Sequence, residues 1–118
     1  MTSSYLPIAG SVITSLMGIT ALAAPETIGR LLHIQALSSM GLSEVRATYG
    51  GLCLGFGLAA LHFAEPAIYV ALGCGWAVAA LSRPLSLLQF SGERGLIIMG
   101  MVFESGVAAL LFTPLWSA

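Results

Sequence analysis

The chain has 118 residues, of which 58% are hydrophobic and 8% are charged, and its mean hydropathy is +0.97. Soluble domains carry about 25% charged residues, so the composition predicts an integral membrane protein, with residues 1–118 forming a single domain. The net charge of −1 provides no basic field that could hold a nucleic acid, and nucleic-acid binding is excluded on that ground.

Four segments have the roughly 20 mostly apolar residues that a membrane-spanning helix needs. Pro25 stops the first segment, the pair Glu65–Pro66 separates the second from the third, and the third is expected to end at Arg83–Pro84. The sequence therefore predicts an all-α integral membrane protein that folds as an up-down four-transmembrane-helix bundle. The predicted spans are about residues 6–24, 43–63, 66–83 and 95–114.

A shorter helix is predicted between the first two spans, over residues 26–39. Its apolar residues recur at roughly helical spacing, and Arg30 and Gln35 complete an amphipathic pattern that is typical of a helix at the membrane interface. The apolar residues are Ile28, Leu31, Leu32, Ile34 and Leu37.

The first span has an alternative interpretation as a signal peptide, because Ala21-Leu22-Ala23 is similar to a signal-peptidase site. However, residues 1–7 contain no Lys or Arg, and the apolar run is long for a signal peptide. We therefore expect the first span to be retained.

The four arginines predict the orientation. In an up-down bundle Arg30, Arg46, Arg83 and Arg94 all fall on one side of the membrane, and the other side has no Lys or Arg. This asymmetry indicates that the arginine side is cytoplasmic. The expected location is a bacterial inner (cytoplasmic) membrane, with multiple passes and both termini on the non-cytoplasmic side.

Glycines indicate close helix packing, which drives helix association in lipid. Gly51 and Gly55 form a GxxxG match, for which packing inside the bundle is favoured over homodimerisation. The predicted packing glycines are Gly50, Gly51, Gly55, Gly57 and Gly100.

Glu104 lies in an otherwise uncharged apolar run, where an unpaired carboxylate costs several kcal/mol. It is about 13 Å from the start of its span, at 1.5 Å per residue. Tyr49 or Arg46 is expected to reach it, with Arg83 closing the cytoplasmic mouth. The predicted polar cluster, either structural or ligand-binding, is Glu44, Arg46, Tyr49, Arg83 and Glu104.

No catalytic or metal-binding pattern emerges from the remaining polar residues. Cys53 and Cys74 are interpreted as small buried hydrophobes, although a disulfide or redox pair is left open. His33 and His62 are expected at opposite membrane faces and cannot jointly bind a haem. Catalytic residues and metal ligands are predicted to be absent, an enzymatic role is disfavoured, and no cofactor is evident.

The segment from Gly41 to Gly51, GLSEVRATYGG, resembles the E-x-R-A-x-Y-G-G signature of a bacterial family of small four-helix membrane proteins, known as domain of unknown function 4345. Ala24–Pro25, Arg83, Ser86 and Gly92 agree with its flanking pattern. The chain is also similar in architecture to DoxX-like proteins, some of which are linked to quinone oxidoreductases. The resemblance marks Glu44, Arg46, Tyr49, Gly50, Gly51 and Arg83, but it implies no established activity.

Three functional hypotheses follow from the sequence. The first is an accessory or assembly subunit of a larger membrane complex, whose partners are the lipid bilayer and other membrane proteins. The alternative is a binder of a quinone- or lipid-like hydrophobic molecule through the Arg/Tyr/Glu cluster. A third, weaker hypothesis is a subunit that moves protons or a solute.

Overall fold

A computed structural model describes residues 5–35 and 38–116, and every regular element in these ranges is helical. This confirms the all-α fold class. The elements are α1 (Tyr5–Ala23), α2 (Pro25–Leu31), α3 (Ser39–Val45), a π-helical segment (Arg46–Leu52), α4 (Cys53–Phe63), α5 (Pro66–Gln89), α6 (Arg94–Phe112) and a 3₁₀ turn (Thr113–Leu115). Leu37, which was assigned to the predicted amphipathic helix, lies outside the described residues.

Helix α2 covers only the first half of the predicted amphipathic segment. It ends with the chain reversal of a Schellman motif: His33 has a φ of 58°, and the N–H of Ile34 donates to the carbonyl of Gly29 at 2.8 Å. A new helix then starts at Ser39, because the Ser38 hydroxyl accepts the N–H of Gly41 at 3.1 Å and so caps α3.

The π-helical segment joins α3 to α4 without a break in the helical backbone. Its flanking residues, Val45 and Cys53, both have right-handed helical dihedral angles. Residues 39–63 therefore form one continuous helical run, which changes its hydrogen-bonding pattern in the middle. This run contains the predicted second span.

Helix α5 continues past Pro84 and ends at Gln89, beyond the end that the sequence suggested. Proline removes one backbone donor, but its fixed φ is compatible with a helix, and apolar surroundings tolerate it when nearby groups satisfy the freed carbonyls. The carbonyl that loses its donor to Pro84 is that of Ala80, four residues earlier. At the end of the helix, the Arg94 guanidinium donates to the Leu87 carbonyl at 2.7 Å, and this bond supports the last of the extra turns.

Residues 11–63 form one compact unit of the chain. In this unit α1 runs antiparallel to the helical run of residues 39–63, and a glycine stands at each close approach. A Cβ added to Gly18 would collide with the backbone nitrogen of Leu54, and one added to Gly57 would lie 2.9 Å from the Ser15 nitrogen. The two backbones are thus too close for any side chain at these positions.

Residues 1–10 and 64–118 form the other unit, of which residues 5–10 and 64–116 are described. Helices α5 and α6 pack against each other in it as an antiparallel pair. Gly73 of α5 lies against Leu111, and the rings of Trp76 and Phe103 meet edge to face with centroids 5.8 Å apart. Most other large apolar side chains of the two helices, such as Leu88, are exposed, as expected of helices that face lipid.

Candidate functional site

The buried carboxylate of Glu104 is bound by Arg83. The Arg83 Nε donates to Oε1 at 2.8 Å and Nη2 donates to Oε2 at 2.5 Å, so the two planar groups form a bidentate pair. The Glu104 side chain is 11% exposed and the Arg83 side chain is 35% exposed. Such pairs are among the strongest hydrogen-bonded contacts in proteins.

The extension of α5 brings Arg83 within reach of Glu104. If the helix ended at Pro84, Arg83 would stand at the helix end. Instead it lies about 9 Å inside the end of α5, whereas Glu104 lies about 15 Å inside the start of α6, at 1.5 Å per residue. The difference is about one helical turn, which an arginine side chain can span.

Gly100 lies beside the arginine in the same contact. It stands one turn before Glu104 on α6, and a Cβ there would lie 3.5 Å from the Arg83 Cζ. The guanidinium therefore lies over the bare backbone of α6 on its way to the carboxylate. Gly100, Arg83 and Glu104 form one contact between α5 and α6, and its bidentate geometry fixes the register of the two helices.

Arg46 is occupied elsewhere, in the unit of residues 11–63. Its Nε donates to the Leu22 carbonyl at 3.1 Å. Leu22 belongs to the last turn of α1, whose terminal carbonyls lack partners within the helix. Arg46 thus caps α1. The partner of Glu104 in the structure is Arg83, whereas the sequence had suggested Tyr49 or Arg46.

Glu44 and Tyr49 line an open cleft of about 480 Å³ in the same unit as Arg46. The lining residues that the structure describes are Ile34, Gln35, Ser38, Gly41, Glu44, Val45, Thr48 and Tyr49. Five of them, from Gly41 to Tyr49, recur three and four residues apart and share one helix face. Thr48 and Tyr49 belong to the π-helical segment, and π-helical turns are frequent at functional sites.

A smaller cleft, of about 240 Å³, shares Ile34 and Val45 with the first as lining residues. Its walls come mainly from α2, and they include Glu26 and Arg30. Beneath both clefts, Val45 packs with Ala21 and Ile28 in a buried cluster against which Tyr49 rests. The clefts are therefore built around one fixed apolar core.

The predicted packing glycines have two different surroundings. Gly50 and Gly57 lie against Leu22 and Ser15 of α1, so their lack of a side chain is used within the chain. By contrast, a Cβ at Gly51 or Gly55 would meet no atom within 4 Å in the described part of the chain. The GxxxG pair thus faces away from the packing between α1 and the helical run.

The sequence interpretation missed the α1 side of this packing, which includes Ser15 and Gly18. Ser11 and Thr14 of the same helix are also buried. The signal was present, because small residues recur along one face of α1. Both cysteines are free thiols. Within residues 5–35 and 38–116, no group of three or more His, Cys, Asp or Glu side chains is arranged to hold a metal ion.

The length and composition of the helices indicate the class of protein. Three described helices are long and apolar enough to cross a membrane, namely α1, α5, and α6 with its 3₁₀ turn; this fits a membrane protein with transmembrane helices. Comparisons with protein-family models, with curated proteins and with solved structures return no match. The resemblance of Gly41–Gly51 to the four-helix family accordingly stays a prediction.

Proposed function

We propose that this chain is a four-span protein of the bacterial inner membrane that acts as an accessory or assembly subunit of a larger membrane complex. The observation that carries the proposal is the bidentate pair of Arg83 and Glu104. The acid that the sequence singles out as the functional candidate has both oxygens occupied by an arginine that locks α5 to α6. This arrangement favours a structural role over substrate contact.

The continuous helical run of residues 39–63 supports the fourth span. Its α-helical parts are each too short to cross a bilayer, but the run as a whole exceeds the roughly 20 residues required. Its large apolar side chains, including Leu52, Phe56 and Leu58, are exposed. A π-helical turn within a transmembrane helix is tolerated because local hydrogen bonds still satisfy the backbone.

The placement of the arginines supports the predicted orientation in each unit. In the unit of residues 11–63, Arg46 contacts the last turn of α1, and Arg30 follows on the next helix. In the other unit, Arg94 contacts the last turn of α5, near Arg83. Each pair lies at the end that the positive-inside pattern assigns to the cytoplasm.

The open face at Gly51 and Gly55 offers a way to test the assembly role. Small residues let a second helix approach closely in lipid, and this pair is not covered by α1. We expect the protein, purified in mild detergent from cells that express it at native level, to migrate with a different membrane protein. Gly51→Leu should reduce that association, because a side chain there would fill the open face.

Gly75→Leu is the matched control, because Gly75 also has no neighbour within 4 Å in the described chain but belongs to α5 of the other compact unit. It should leave the complex intact. A species that contains only this chain, whether one copy or two, would contradict the accessory role. Equal loss of the complex in both variants would contradict the use of the Gly51 face.

The binding of a quinone- or lipid-like molecule is the second candidate, and the cleft that Glu44 and Tyr49 share is the observation that favours it. The residues of the cluster expected for this function belong to both compact units: Arg83 and Glu104 pair with each other in one unit, and Glu44, Arg46 and Tyr49 belong to the other. A ligand would therefore use the Glu44 side of the cluster.

A further inference from the structure

The cleft beside α3 has an unusual balance of polar groups for a membrane protein. Glu44 is the one charged side chain among its described lining residues, and Arg46, its nearest arginine in the chain, donates instead to α1. Glu44 is exposed to the cleft, unlike Glu104, whose oxygens are held by Arg83. A ligand in this cleft would contact the Glu44 carboxylate, which attracts a cationic group.

The other polar residues that line the cleft carry hydroxyl or amide oxygens, which can accept hydrogen bonds. Thr48 stands one turn further along the same helix face as Glu44, with Tyr49 beside it, and Gln35 and Ser38 also line the cleft. A carboxylate in a cleft with hydroxyl and amide oxygens suits a primary ammonium group, which has three N–H donors to distribute. A quaternary ammonium group has no such donors.

The apolar walls and the position of the cleft indicate what kind of molecule carries this ammonium group. Ile34 and Val45 give the cleft apolar sides. The cleft lies at the start of the helical run of residues 39–63. In the proposed four-span arrangement, this is the level at which a spanning helix leaves the hydrocarbon region for the headgroups. An amphiphile in the membrane is already at this level, with its acyl chains beside the exposed apolar face of the run.

We propose that the cleft is a binding site for an aminophospholipid, whose primary ammonium group is held by Glu44 and by the hydroxyl groups of Thr48 and Tyr49. The site rests on the proposed crossing of residues 39–63, but it is independent of the accessory role because it needs no protein partner. It gives the chain a preference among membrane lipids that packing alone would not provide. The π-helical segment contributes by placing Thr48 and Tyr49 on the cleft.

The test uses the full chain in mixed vesicles of phosphatidylethanolamine and phosphatidylglycerol in equal amounts, followed by extraction and native mass spectrometry of the retained lipids. We expect phosphatidylethanolamine to be enriched over phosphatidylglycerol by about fivefold, the upper range for one partly exposed charge contact. Glu44→Gln should abolish this enrichment. Equal retention of the two lipids by the wild-type chain would overturn the proposal.

Glu26→Gln is the matched control, because Glu26 is also exposed and lines the neighbouring smaller cleft. It should keep the enrichment, and equal losses in the two variants would show a general charge effect that overturns the assignment to Glu44. Circular dichroism verifies that both variants fold. An intact partner complex with unchanged lipid retention in Glu44→Gln would reject this site while leaving the accessory role standing.

Two further arms distinguish the source and the chemistry of the headgroup. In vesicles where phosphatidylcholine replaces phosphatidylethanolamine, the enrichment should disappear, because its ammonium group has no N–H. Soluble glycerophosphoethanolamine at millimolar concentration should leave the retained lipid in place. Displacement by this soluble compound would show that the cleft recognises a free headgroup and would overturn the choice of a lipid.

Discussion

At the scale of single residues, the pair of Arg83 and Glu104 shows how a charge is accommodated inside an apolar helix pair. A buried ion pair adds little net stability compared with well-packed apolar residues, but removal of one partner leaves the other charge without compensation. The bidentate geometry satisfies both carboxylate oxygens. The pair therefore specifies which turn of α5 faces which turn of α6.

This argument predicts how substitutions at the pair change stability. Glu104→Ala should lower the free energy of unfolding by about 2 kcal/mol, less than for a fully buried pair because Arg83 is partly exposed. The double substitution of Arg83→Met with Glu104→Leu should recover stability to within about 1 kcal/mol of the wild type, since no charge is left unpaired. Chemical unfolding in detergent micelles, followed by circular dichroism, measures both.

Glu65→Ala provides the control for this comparison, because Glu65 is exposed and its side chain makes no capping bond to α5. Its effect should stay within about 0.5 kcal/mol. If Arg83→Met and Glu104→Leu, each made alone, cost energies that simply add in the double variant, the two side chains are not coupled and the structural role fails.

The sequence singled out Glu104 and Arg83 separately, but it did not predict that they pair. The depth of Glu104 follows from its position in an uncharged run, which a sequence shows directly. The depth of Arg83 depends on whether α5 continues through Pro84, and a proline at that position is compatible with either outcome. The end of α5 at Gln89 is supported by the bond from Arg94 to the Leu87 carbonyl, a contact of the folded chain that the local sequence pattern does not show.

At the scale of the elements, glycines along the helical run of residues 39–63 serve two different surfaces. Those in contact with α1 permit a backbone separation that no other residue allows. Hydropathy and spacing identified the run and its small residues, but all glycines look alike in a sequence. Which face meets α1 depends on the rotation of the run, and the π-helical segment changes that rotation because its turns contain more residues than α-helical turns.

Alanine substitutions should separate the two surfaces. Gly57→Ala should destabilise the chain by about 1–3 kcal/mol, because the added Cβ would lie 2.9 Å from the Ser15 nitrogen and the helices must move apart. Gly51→Ala has open space and should be neutral or stabilise the helix by about 0.5–1 kcal/mol. Thermal unfolding in the same detergent measures both, and a Gly57→Ala variant as stable as Gly51→Ala would contradict the described packing.

At the scale of the whole molecule, composition and the length of the apolar segments predict most of the helices that the structure describes. Four apolar segments in the sequence correspond to α1, to the helical run of residues 39–63, to α5 and to α6. Within each compact unit the arginines lie near the ends of α1 or α5, as an up-down arrangement requires. Whether residues 39–63 cross the membrane decides between four spans and three.

The crossing can be tested with single cysteines in a chain whose own thiols are removed by Cys53→Ala and Cys74→Ala. Cysteine at Ser39, at the start of the run, should be protected from a membrane-impermeant maleimide in intact cells, because this side carries the arginines and should be cytoplasmic. Cysteine at Glu65, just after the run, should react. Cysteine at Ser91, in the connection between α5 and α6, should be protected like Ser39, and both should react after permeabilisation. Equal reactivity at Ser39 and Glu65 in intact cells would mean that the run does not cross, and the four-span proposal would fail whatever the orientation of α5 and α6.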